Sequence, residues 1–187
     1  RGLLRHSRSL ARHTPDADAR QVQFHYDVSD DFYALWLDPR RVYSCAYWRV
    51  GVQTLADAQD AKLDHLCRKL ALRAGERLLD VGAGWGGLLL WAAEHYGVDA
   101  TGITLSKKQA EYANRYLDRE KLGRVARVEL SDYRDLSEQT KFDRVVCLEL
   151  IEHVGFKNVS QFAERVYDVL ADDGLFLLQW TGLRRSV

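Results

Sequence analysis

The residues best suited to hold a ligand by their backbone lie in Arg77-Leu-Leu-Asp-Val-Gly-Ala-Gly-Trp-Gly-Gly87. Glycine is needed there only if the chain turns sharply and something approaches its main chain closely. Gly82, Gly84 and Gly87 satisfy G-x-G-x-x-G, a spacing shared by several nucleotide-type sites, and glycines that merely make a tight turn satisfy it too. Two neighbours discriminate. Asp80 precedes Gly82 by two residues, where a carboxylate can order the turn or receive an ammonium group; a pyrophosphate gains nothing from it. A dinucleotide site also wants an acid about 20 residues further on to bind ribose hydroxyls. The corresponding segment, Gly102-Ile-Thr-Leu-Ser106, carries none. The pattern therefore favours S-adenosylmethionine (SAM) over NAD. In Leu130-Ser-Asp-Tyr-Arg-Asp135, Asp132 could accept from an adenine amino group and Tyr133 could line the ring; a solvated loop is the alternative.

These residues need elements to position them. Leu78–Val81, Val98–Thr104, Ala126–Leu130, Phe142–Leu148 and Leu175–Gln179 read as strands, the last after a turn at Asp172-Asp173-Gly174. Helices are expected at Gly86–Tyr96, Lys107–Glu120 and Val159–Leu170. Alternation of this kind predicts a parallel sheet covered on both faces. Upstream, Ser29 reads as the N-cap of a short helix ended by Pro39. Thr54 starts a second helix with Asp57 as its capping partner and Gly75 as its stop. Between Phe24 and Trp48 lie eight aromatic rings, more than a small helical extension needs, so some are expected to roof a pocket.

The 187 residues suit one α/β domain, and 47% hydrophobic content is enough to bury a core. Lys+Arg and Asp+Glu balance at 27 each, which argues against nucleic acid as a partner. Arg1, Arg5, Arg8 and Arg12 would share one face of a helix, either solvated or touching anionic phospholipid. Cys45, Cys67 and Cys147 form no Cys-x-x-Cys pair, so a reducing cytoplasmic setting is the default, with peripheral membrane association as a further expectation. The absence of methionine and the stop just after a strand suggest a piece of a longer protein, with C-terminal strands missing.

His25-Tyr-Asp-Val-Ser-Asp-Asp-Phe-Tyr33, Tyr43-Ser-Cys-Ala-Tyr-Trp48, the glycine turn, and Glu152-His-Val-Gly155 together resemble the cyclopropane-fatty-acid synthase family of SAM-dependent methyltransferases. The resemblance implies a class I SAM-methyltransferase, Rossmann-like fold acting on the double bond of an unsaturated phospholipid or other lipid acyl chain. It puts Tyr43, Ser44, Gly82, Gly84, Thr104, Leu105, Gln109 and Tyr133 against SAM, and Cys45 and Glu152 around a bicarbonate ion. It divides the chain into an N-terminal cap (1–74) and a SAM-binding core (75–187), and it admits a homodimer. The turn has Ala83 where the family usually has cysteine. Gln179 stands where cyclopropane synthases carry a histidine that helps hold bicarbonate, and the tail from Leu177 is similar to the sphingolipid C9-methyltransferase branch, which adds a methyl without closing a ring. A small-molecule N-methyltransferase is a further alternative. Glu152, Cys45 and Gln179 are the catalytic candidates, Glu152 foremost, since methylating an alkene leaves a cation and then requires a base.

Overall fold

The computed structural model describes residues 14–26 and 30–182. The basic run from Arg1 to Arg12 and the N-cap expected at Ser29 lie outside them. In chain order the elements are α1 (Pro15–Tyr26), α2 (Asp30–Ala34), α3 (Leu55–Lys69), β1 (Arg77–Val81), α4 (Gly87–Tyr96), β2 (Asp99–Thr104), α5 (Lys107–Arg119), β3 (Ala126–Leu130), β4 (Phe142–Leu148), α6 (Ile151–Val154), α7 (Val159–Val169) and β5 (Leu170–Gln179). A 3₁₀ turn at Tyr133–Asp135 follows β3.

The five strands form one parallel sheet in the order β3-β2-β1-β4-β5. The chain starts in the middle, runs outward to β3, and returns to the other side of β1. The carboxyl ends of β1 and β4 thus flank a crevice where such sheets hold ligands. Side chains alternate across the sheet. Leu78 packs with Leu63 and Cys67 of α3 and Leu88 and Leu89 of α4, whereas Leu79 and Val81 pack with Phe162 and Val166 of α7. Both faces of β1 are buried, as expected of a central parallel strand. Because Leu63 and Cys67 share that core, α3 and the sheet are held together by one apolar cluster.

The strands and core helices fall where periodicity puts them, to within a residue or two except at β5. Three local expectations fail, and one helix has no expectation to meet. Helix α1 is unforeseen, although Thr14-Pro15 is a start signal; the Thr14 carbonyl accepts the Asp18 N–H at 2.9 Å. Pro39 does not end α2, which stops at Ala34. Gly75 does not end α3: Ala71, at φ 50°, turns the chain, and the Leu72 N–H reaches back to the Cys67 carbonyl at 3.2 Å. The segment Asp172-Asp173-Gly174 is a bulge inside β5 rather than a turn before it. Leu170 pairs with Phe142 and Leu175 with Arg144, so the residues between them loop out.

Candidate active site

At the carboxyl ends of β1 and β4 lies a cavity of about 390 Å³. Its floor is the glycine turn. The Gly82 and Ala83 N–H groups both donate to the Ile103 carbonyl, at 3.1 and 3.0 Å, which folds the turn back over β2. Gly82 sits at φ +94°, and an added Cβ would come within 2.7 Å of Leu150 Cδ1. On the neighbouring strand, a Cβ at Gly102 would collide with Ala83 Cβ and lie 2.6 Å from Leu89 Cδ1. Glycine is therefore required on both sides of the turn, once by conformation and once by packing.

Asp80 lies beneath the turn and lines the cavity. It is buried, and its Oδ1 has no hydrogen-bond partner among the described residues. Burial pushes its carboxyl up to about 7, with the nearby Lys62 ammonium opposing. A buried carboxylate oxygen facing a cavity is suited to an ammonium group. Thr104, at the end of β2, donates to Gln109 Oε1 at 2.8 Å, and Ser106 caps α5 by accepting the Gln109 N–H at 3.2 Å. Thr104, Leu105 and Gln109 thereby form one wall, and Tyr133 closes it at the end of β3. Asp132 does not line the cavity. Its carboxylate caps the 3₁₀ turn and binds Arg134, accepting from Nε at 2.8 Å and from a terminal nitrogen at 2.7 Å. The same Arg134 nitrogen reaches Asp18 of α1 at 2.8 Å. Asp132 thus anchors α1 over the cavity, where Asp18, Val22 and Tyr26 complete the wall.

The segment carrying Tyr43, Ser44 and Cys45 is strapped to α3. Buried Asp38 accepts the Arg40 and Val42 N–H groups at 2.9 and 2.8 Å and sets the turn. Gln59 Nε2 donates to the Val42 and Ser44 carbonyls at 3.2 and 2.9 Å. Lys62 Nζ donates to the Ser44 hydroxyl at 2.6 Å. Burial lowers this ammonium to about 8, with Glu149, Asp38 and Asp80 acting in the opposite sense.

The aromatic stretch divides. Tyr26, Tyr33 and Tyr43 gather around Trp85 of the glycine turn, Tyr33 at a centroid distance of 4.6 Å, and Trp36 packs on Tyr33 and Tyr43. Tyr26 and Tyr43 line the cavity, and Tyr26 is pushed up to about 12 by burial and by its tyrosine and carboxylate neighbours. Phe24 and Trp48 point outward, and Tyr47 stacks on His65.

Beyond β4 the carboxylate that lines the cavity is Glu149. Its Oε1 accepts the Cys45 N–H at 3.2 Å and Gln179 Nε2 at 3.1 Å, and its N–H donates to the Gln179 carbonyl at 2.8 Å. Cys45 and Gln179 are thus brought together, with Glu149 between them. A second hydrogen bond, between the Cys45 thiol and the Glu149 carboxylate, pushes that thiol up. Glu152, one turn onward, is exposed; its Oε1 accepts the Thr181 N–H at 2.6 Å, outside the cavity lining. His153 does line the cavity. Sequence reasoning missed Glu149, Lys62 and Trp85. The rule that ligands gather beyond strand ends pointed to Glu149 as much as to Glu152.

This parallel sheet, with its glycine turn at the first strand and its crevice between β1 and β4, is the class I SAM-methyltransferase fold. The chain belongs to the mycolic acid cyclopropane synthetase family, whose model matches residues 13–186. It is 47% identical over 157 residues to methoxy mycolic acid synthase MmaA3 of Mycobacterium tuberculosis, covering 84% of this chain and 53% of the relative. It is 41% identical over 184 residues to a sphingolipid C9-methyltransferase of Komagataella phaffii, covering 93% of this chain and 38% of the relative. A crystal structure of mycolic acid cyclopropane synthase CmaA1 with SAH and CTAB superposes with a TM-score of 0.81 at 40% identity, covering 86% of this chain and 55% of that one. The chain therefore spans about half the length of these relatives or less.

Proposed function

We propose that the protein carrying this chain is a SAM-dependent C-methyltransferase acting on the double bond of an unsaturated lipid acyl chain. One observation carries the reading: a single cavity joins a buried, unpartnered Asp80 oxygen to an aromatic wall and a held carboxylate, Glu149. The relatives that modify mycolic acids and sphingolipids, and the neighbour crystallised with SAH, support it.

The residues fit SAM. Asp80 suits its ammonium group. Ser44 suits its carboxylate: the hydroxyl oxygen already accepts from Lys62, which leaves the hydroxyl proton free to donate into the cavity. Thr104, Gln109, Leu105 and Tyr133 are proposed to flank the nucleoside. When bound, SAM supplies an electrophilic methyl group. The protein's part is to aim the alkene, exclude water and tolerate the cation that follows. Tyr26 and Tyr43 offer ring faces for that cation, each worth about 0.5–2 kcal/mol. The balanced charge of the chain is compatible with a lipid partner, and contact of the basic N-terminal run with anionic membrane belongs to the same proposal. Among the described residues no helix is long and apolar enough to cross a membrane.

Bicarbonate does not fit. An anion at this place needs converging donors, and the Cys45 N–H and Gln179 amide are already spent on Glu149. A second negative charge beside that carboxylate would be repelled.

The test is to incubate the full-length protein with methyl-labelled SAM and unsaturated phospholipid vesicles, then take mass spectra of the acyl chains. A gain of one CH₂ with loss of the alkene identifies a ring; the same gain with the alkene retained identifies a methyl branch. Label found only in a small amine would reject the lipid reading.

A further inference from the structure

We infer that Glu149 is the proton acceptor of this site and that its carboxylate fills, as part of the chain, the anion position that the resemblance gives to a bicarbonate ion. The inference rests on the C-methyltransferase reading above.

Three observations converge on it. The first is the pair of donors. Cys45 and Gln179 lie 104 and 30 residues from Glu149, yet both donate to the same Oε1. Two donors from distant segments meeting at one point make an anion site, and its occupant is covalently attached. The second is the backbone. Glu149 adopts φ 52°, in the left-handed region that costs a residue with a Cβ about 1–2 kcal/mol. The bond from its N–H to the Gln179 carbonyl at 2.8 Å pins that conformation. A carboxylate with no task beyond the surface needs no such twist. A residue in strained geometry at the mouth of a ligand cavity is a reasonable functional candidate. The third is position. Glu149 lines the cavity together with Tyr43, Gly82 and Leu150, and its charge is felt by Tyr26, Lys62 and Cys45. It faces the space where an acyl chain would meet the methyl donor.

The step assigned to Glu149 is one proton transfer. Transfer of the methyl group to the alkene would break the donor's carbon–sulfur bond, release the donor as its neutral thioether and leave a cation on the chain. Glu149 takes one proton from it. The C–H electron pair either closes a three-membered ring, if the proton leaves the new methyl, or restores a double bond, if it leaves a neighbouring carbon. Glu149 becomes a neutral carboxyl and returns the proton to solvent. Gln179 and the Cys45 N–H act as positioning groups at one carboxylate oxygen.

The first arm of the test needs no turnover. Carbon-13 bicarbonate is titrated into the full-length protein and followed by NMR. The wild type should show no bound ion. Glu149→Gly accepts the left-handed backbone and frees both donors, so it should gain a bicarbonate-dependent signal. Bicarbonate bound to the wild type, or no gain in a folded Glu149→Gly, would overturn the proposal. In the second arm, methyl transfer is measured in carbon-dioxide-free buffer with and without added bicarbonate. The wild-type rate should not respond. Glu149→Gln should lose about 100-fold or more while its SAM affinity is unchanged, and bicarbonate or formate should restore part of the rate to Glu149→Gly. A bicarbonate-dependent wild type, or full rate in Glu149→Gln, would refute the assignment. If the wild type transfers no methyl to any lipid, the C-methyltransferase reading fails, and the NMR arm still reports whether Glu149 fills an anion site.

Discussion

Lys62 places its ammonium 2.6 Å from the Ser44 hydroxyl, so a buried charge on α3 determines which way a cavity-lining hydroxyl can donate. The Ser44 oxygen is occupied as an acceptor, and its proton is directed elsewhere. Replacing Lys62 with Met should lower SAM affinity about tenfold to a hundredfold, the range for losing a charge-assisted hydrogen bond. Thermal stability should hold or rise, because burial already disfavours this ammonium. Ser44→Ala should cost a similar factor, and the double variant little more than either alone. Isothermal calorimetry on the four proteins checks this. Full additivity would separate the two residues.

Asp80 is expected to make SAM binding pH-dependent. Its carboxyl, ordinarily 3.8, is raised to about 7 by burial. In the free protein it stays protonated across an interval in which the unfolded chain has ionised. Its contribution to stability therefore falls as pH rises from about 4 to about 7 and stays low above that. An ammonium ligand prefers the ionised form, so SAM affinity should climb as pH approaches 7 from below. Asp80→Asn should flatten that climb, bind more weakly at pH 8, and melt higher than the wild type there without ligand. Parallel binding curves for the two proteins below pH 7 would contradict the pairing.

The glycine turn depends on Gly102, which it packs against. Gly102→Ala would force Ala83 and Leu89 apart. A loss of about 1–3 kcal/mol is expected in urea unfolding, the usual cost of overpacking, together with weaker SAM binding as the turn shifts. Combining it with Ala83→Gly should recover part of both losses. A cavity-remote packing defect would leave SAM binding untouched.

Arg134 joins Asp132 to Asp18 through a nearly buried triad, and both carboxylates push its guanidinium pKa up. Asp18→Asn should release α1 from the cavity rim. The expected cost lies between an exposed pair, about 1 kcal/mol, and a buried one, about 3 kcal/mol. Limited proteolysis should cut α1 sooner, and SAM should dissociate faster. Unchanged cleavage would mean that packing of Tyr26 on Trp85 alone holds the helix.

Ala71 ends α3 at φ 50° without the glycine that this position favours. Ala71→Gly should stabilise the chain by about 1 kcal/mol, read as a higher melting temperature with SAM affinity unchanged.

Apolar periodicity determined the sheet and its strand–helix alternation, and residue types at fixed short spacings pointed to SAM. The acid at position 80 and the absence of one in Gly102–Ser106 separated SAM from NAD. Tertiary structure alone decided which carboxylate faces the cavity. Glu149 and Glu152 stand three residues apart beyond one strand, and no local pattern ranks them. The difference is a left-handed backbone at Glu149, held by Gln179 from β5 and met by Cys45 from the strap on α3. Lys62 was hidden in the same way, as a polar break in an apolar helix face whose acceptor lies 18 residues upstream. Chemistry that depends on neighbours close in sequence can be read from the sequence. Where groups brought together from four elements must share one charge, long-range packing fixes the geometry, and only the folded chain contains it.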